Sequence, residues 1–316
     1  MAQSNKHQSH FAFEQVLSQN ASTPTIPPLP TQFSQVRKDI KLPNTPKAST
    51  ARDAPREAFT KGPGSYSGTN SKARRNLPLP RKGSPWDTYR KEFSCDLAGD
   101  AAVVVHRTDP SKVLLLRSFP GDIAEKVLQW LNQLQHPNIM GAKMCYSAEN
   151  SLYALCEDLP LTLEHLIVCG ARLTEVQLSA ILSQILDALS YLAAEGFEHR
   201  SVKSSNVLMG LDGVVKIGYL QDIHSQSQTQ DQTNTLKALE TITMELMGGT
   251  AGMNDVKQWP LDSDAVTFLL ATASVGGSVG ELRKHRLITK YADSKGELIG
   301  LARFALISAR TFYSYP

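Results

Sequence analysis

The sequence predicts an α+β fold in which a small β-rich half precedes a larger helical half, behind a long disordered arm. Three observations predict it. The chain up to about residue 85 is rich in Pro, Ser and basic residues. Two stretches, "AAVVVHRTDPSKVLLLRSF" from Ala101 and "HPNIMGAKMCYSAENSLYALCEDL" from His136, run as β-branched or Leu-rich segments around polar turns. The stretch "LTEVQLSAILSQILDALSYLAAEG" then places Leu178, Ile181, Leu182, Ile185, Leu189 and Leu192 at helical spacing. An apolar fraction of 41% suffices for a globular core in 316 residues.

The arm is a different material. "STPTIPPLPTQ", "GPGSYSGTNSKARRN" and "NLPLPRKGSP" cannot bury enough apolar surface to offset chain entropy, so residues 1–85 read as disordered. Within them "HFAFEQVLSQ" reads as a short amphipathic helix, and Thr45 and Ser84 each precede a proline as proline-directed phosphorylation sites would. "PPLP" and "LPLP" suit the aromatic grooves of SH3- or WW-type partners. "KARR" fits a nuclear address. Residues 1–91 hold 15 Lys/Arg against 5 Asp/Glu, whereas residues 92–316 hold 18 against 25. A basic arm on an acidic body points to acidic partners, with no motif for specific nucleic-acid recognition. Cys95, Cys145, Cys156 and Cys169 show neither Cys-x-x-Cys nor His at metal-ligand spacing, which suits reduced thiols in a cytoplasmic or nuclear protein. No signal-peptide core opens the chain, and no apolar run is read as approaching the ~18 residues of a membrane span.

Order is expected from Trp86. Residues 86–159 give a hairpin through an Asp109-Pro110 turn, a helix "DIAEKVLQWLNQLQ" with Ile123, Val127, Leu128, Leu131 and Leu134 on one face, and two strands around "SAEN". Residues 160–290 hold the long helix, opened by the Thr174/Gln177 capping box and closed by Gly196. Residues 291–316 add a last helix with Leu298, Leu301, Phe304, Ala305 and Ile307 toward a neighbour.

Residues 196–222, "GFEHRSVKSSNVLMGLDGVVKIGYLQD", carry a resemblance. Kinases write His-Arg-Asp-x-x-x-x-Asn in the catalytic loop; here stand His199, Arg200, Ser201 and Asn206, with Lys203 at the place of a phosphate-steering Lys. Tyr219, Leu220 and Gln221 follow Asn206 at the usual span to Asp-Phe-Gly. "HPNI" at 136–139, "VLLLRSF" with Arg117 at the place of the strand Lys, "LYALCEDL" with Cys156 as gatekeeper and Glu157 to Leu159 as hinge, and "ETITMELMGG" fall in kinase order. So does "DAVTFLLATASVGGSVGELRKHRLI", similar to a terminal helix. From about 94 to 287 the chain resembles a eukaryotic protein kinase domain. The resemblance implies a bilobal fold and a nucleotide pocket formed by Gly99, Leu115, Arg117, Cys156, Glu157, Leu159, Leu208 and Tyr219. It implies a hydrophobic spine of Leu131, Ala142, His199 and Leu220, with Leu208 under the adenine site.

The departures bear on the chemistry. Phosphoryl transfer is mostly positioning and charge neutralisation. Ser201 is a neutral, poor base where the loop Asp belongs. Tyr219 offers no carboxylate to Mg²⁺, which leaves Asn206 as the remaining metal-ligand candidate. Gly99 is the single glycine of its loop, Asp100 adds negative charge there, and Leu115 narrows the adenine slot. Arg117 keeps the charge on a wider head. The helix position expected to pair with it is Val127, with Glu125 two residues away. The segment after Gln221 lacks Ala-Pro-Glu, and Thr235 stands for the Asp of the next helix; Ser225, Ser227 and Thr229 are phosphorylation candidates. The leading expectation is a pseudokinase that acts by binding protein partners, with no cofactor, or ATP without Mg²⁺. The rivals are a weakly active or atypical ATP-dependent Ser/Thr kinase, in which Asn206 and Asp222 restore metal binding, and an eroded remnant with neither ligand nor partner.

Overall fold

The computed structural model describes residues 79–226, 232–248, 259–274, 277–292 and 294–312. The expectations for residues 1–78, among them the helix near residue 10, Thr45 and the "PPLP" and "KARR" motifs, lie outside the described residues, as do Ser227 and Thr229.

The smaller half is a six-stranded sheet in the order β1-β5-β6-β4-β3-β2. Its strands are β1 (Arg81–Lys82), β2 (Tyr89–Asp96), β3 (Asp100–His106), β4 (Asp109–Pro120), β5 (Ala142–Ala148) and β6 (Ser151–Cys156). Strand β1 pairs parallel with β5, and the side chain of Ser84 accepts from Trp86 N to cap a 3-10 turn at Pro85–Asp87. Regular structure therefore begins at Arg81, ahead of the expected Trp86, because Trp86 and Tyr89 anchor this segment on Tyr153 and Tyr146. The β3–β4 turn is Arg107–Thr108, not Asp109–Pro110. His106 Nδ1 takes the Thr108 N–H (3.3 Å) and tightens the turn one step earlier. Between β5 and β6, Glu149 and Asn150 both have positive φ (50 and 56), the two-residue geometry that fits the twist of a hairpin. Helix α1 (Gly121–Gln133) packs Val127, Trp130 and Leu131 into the core, while Glu125 faces solvent.

The larger half is helical. Strand β7 (Leu161–Thr162) leads into α2 (Leu163–Val168) and then α3 (Glu175–Ala194). The capping box opens α3 as expected: Thr174 Oγ1 accepts from Gln177 N, and Gln177 Oε1 accepts from Thr174 N (3.0 Å). By length and composition α3 could cross a membrane (mean hydropathy 1.3), as long buried core helices commonly could. Its apolar residues, Leu178 through Leu192, are the centre of the core. Short strands β8 (Phe197–His199), β9 (Val207–Met209), β10 (Val215–Ile217) and β11 (Ile223–Ser225) follow. Strands β7, β9 and β10 form one small sheet, and β8 and β11 another. Helix α4 (Thr233–Gly248) comes next.

The expected single terminal helix is three: α5 (Asp264–Thr272), α6 (Val279–Leu282) and α7 (Arg286–Lys290). Ser278 and His285 each accept a backbone N–H at a new N-terminus and so break the run. Helix α8 (Leu298–Phe312) closes the described chain, and its buried face is Leu298, Leu301, Ala302 and Ala305. Phe304 (50% exposed) and Ile307 (65%) point outward, against expectation, because the small residues Ala302 and Ala305 let the helix pack closely on the opposite side.

Candidate nucleotide cleft and catalytic loop

The cleft between the halves is built around Arg117. The β-branched and leucine run of β4 carries its side chain inward, where it is 4% exposed. Its Nη1 donates to the carbonyls of Ala98 (3.0 Å) and Gly99 (3.3 Å), and Nη2 donates to the carbonyl of Leu97. Its Nε is buried without a partner among the described residues. Burial holds the guanidinium below its ordinary value, opposed by Cys156, Cys95 and Asp96.

The turn Leu97–Gly99 between β2 and β3 is thus drawn into the cleft. Ala98 and Gly99 have φ of 57 and 93. The Leu97 N–H donates to Gly99 O (3.1 Å), and the Gly99 N–H donates to Asp96 Oδ1 (3.0 Å). Leu97 and Ala98 are buried in the same core as Leu115, Cys156, Leu159 and Leu208. A Cβ at Gly218 would stand 2.8 Å from the Ala98 methyl and 3.1 Å from Leu208 Cδ1. One at Gly99 would stand 3.1 Å from the Tyr219 ring. The roof turn therefore rests directly on the floor. Asp100 lies outside, exposed.

Leu115 faces Cys156 across the β4–β6 register. Burial pushes the Cys156 thiol up to about 11. Glu157 pairs with Lys216 of β10, an ion pair that joins the connection between the halves to the larger one. Alternation along β10 sends Lys216 opposite the buried Val215 and Ile217, a placement the sequence carried but which was not read from it.

On the floor, buried His199 is neutral: its Nδ1 accepts from Ser201 N (3.2 Å), so Nε2 carries the proton and donates to Gly218 O (2.8 Å). Desolvation lowers its pKa. Ser201 Oγ donates to Asp222 Oδ2, and Asn206 Nδ2 donates to Ser201 O (2.8 Å). Tyr219, in the left-handed region (φ 57, ψ 51), starts the turn that brings Asp222 back to Ser201. Lys203 is exposed. Ser204 donates to Glu245 of α4, a link no sequence motif announced. The spine residues Leu131, Ala142 and Leu220 share the main core, and His199 is buried. Lys126 of α1 reaches Gln221 O at 3.5 Å.

A family model, Protein kinase domain, matches residues 121–247. This chain carries a protein kinase-like domain. Serine/threonine-protein kinase pak-2 of Caenorhabditis elegans is 36% identical over 87 residues, 28% of this chain and 17% of that protein. Serine/threonine-protein kinase max-2 of the same organism is 28% identical over 137 residues, covering 40% and 19%. A probable cell division protein kinase of Encephalitozoon cuniculi is 25% identical over 182 residues, covering 54% and 58%. The chain thus spans between about a sixth and three fifths of these relatives' length. The sheet-rich half and the helical half agree with the kinase-like fold read from the sequence.

Proposed function

We propose that this kinase-like domain is a pseudokinase, a binding module whose nucleotide cleft is filled by its own chain. The observation that carries this is Arg117 donating to the carbonyls of Leu97, Ala98 and Gly99. A phosphate needs N–H donors and positive charge. Here the Leu97 and Gly99 N–H groups are taken within the turn, carbonyl oxygens face the cation, and the Ala98 methyl lies against Gly218. On this reading the residues in place do not fit Mg²⁺·ATP. Ser201, as a hydroxyl at the base position, and Tyr219, as a phenol at the metal position, support it.

The test is a thermal melt of the full chain with ATP, in Mg²⁺ and in EDTA, beside a phosphotransfer assay. The expected result is no shift and no transfer. A ligand at about 100-fold its dissociation constant adds about 2.7 kcal/mol, so a rise of several degrees would overturn the filled cleft. A shift confined to EDTA would make the domain a nucleotide-stabilised scaffold.

One observation favours a second reading, a weakly active Ser/Thr kinase. Asp222 lies within hydrogen-bonding reach of Ser201, which places a carboxylate beside the base position. Mg²⁺-dependent transfer that is lost in Asp222→Asn would select this reading. Transfer unchanged in that variant would remove Asp222 from it.

A further inference from the structure

Away from the cleft, a groove of about 1030 Å³ runs along the back of the larger half. One stripe of α3 lines it: Ala180, Ser183, Gln184, Asp187 and Ser190. The helix from Ala180 to Ser190 extends about 15 Å, room for four or five residues of an extended peptide. Pro137, Val214 and Ile288 give it apolar walls. Arg283, Lys284 and Lys295 stand around it, and the lone carboxylate among its lining residues, Asp187, is already paired with Arg283. The Ser190 hydroxyl on its wall is shielded from solvent and has no partner among the described residues. A buried hydroxyl of this kind ordinarily finds one.

The sign of the charge is the deciding feature. The body from residue 92 onward is net acidic, yet this groove is net basic. A concave basic site on an acidic surface selects carboxylates and rejects cations. The apolar walls ask for side chains such as Leu between the acids. We infer that the groove is a docking site for an acidic, leucine-bearing peptide segment of a protein partner. This inference does not depend on whether the nucleotide cleft is filled.

The experiment measures fluorescence polarisation of the full chain with a fluorescein-labelled hexapeptide alternating Leu and Glu, and with its Leu-Lys counterpart. The Glu peptide binds, more weakly as salt rises, and the Lys peptide does not. The double substitution Lys284→Glu, Lys295→Glu, both exposed, weakens the Glu peptide at least tenfold. The uncharged groove-filling Ser183→Trp does the same without touching charge. Glu-peptide binding unchanged in Lys284→Glu, Lys295→Glu would place it on the basic N-terminal region and overturn the proposal. So would equal binding of the Lys peptide, or no binding of the Glu peptide at low salt.

Discussion

Arg117 concentrates what the sequence could and could not tell. Its place on the strand was legible from the motif order; the destination of its guanidinium was not. "LAGD" offers a single glycine, yet Ala98 also takes a positive φ, and nothing in the residue types announces that. Arg117→Ala leaves three cleft carbonyls without their donor. It is expected to cost about 2–4 kcal/mol, read as a lower urea midpoint together with faster hydrogen exchange at Leu97 and Gly99. Unchanged exchange at those amides would mean that the turn holds itself down. The pairing of Ser201 with Asp222 was half legible. Asp222 stood out as a nearby acid, but only the left-handed Tyr219 brings it round to Ser201.

Elements were read best where local chemistry decides them. The Thr174/Gln177 box and the apolar spacing gave α3 its start and its face, and Thr174→Ala is expected to lower stability by about 1 kcal/mol in a denaturant titration. The run from Asp264 to Ile288 was expected as one helix from its resemblance to a kinase terminal helix. The breaks lie in the side-chain caps of Ser278 and His285, which compete locally with helix continuation. Helix α8 buries Leu298, Leu301 and Ala305 as the spacing predicts, but Phe304 and Ile307 turn outward and Ala302 packs inside. Leu298→Ala should therefore cost about 2–4 kcal/mol, and Phe304→Ser no more than about 0.5 kcal/mol. Equal losses at the two sites would contradict the orientation of α8.

For the molecule as a whole, burial of titrating groups sets a window of stability. His165, His199 and His285 all have depressed values, with desolvation as the first cause. The unfolded chain binds these protons more readily, so their contribution is present above about pH 6.5 and is lost as pH falls toward the folded values. The thiols act in the opposite sense. Burial raises Cys145 to about 12 and Cys156 to about 11, so their contribution is present below about pH 8.5 and lost as pH rises toward those values. Melting temperature against pH should show a plateau between these limits, falling on both sides. A flat profile from pH 5 to 8 would argue against neutral buried histidines. Alkylation of Cys145 and Cys156 should likewise wait on unfolding.

The ion pair of Glu157 with Lys216 ties the connection between the halves, and the Ala98–Gly218 contact closes the gap they would otherwise hinge across. A protein that grips both halves at once meets them at one angle. The entropy of choosing among open and closed arrangements is then already lost before the encounter, and recognition can be rigid and fast.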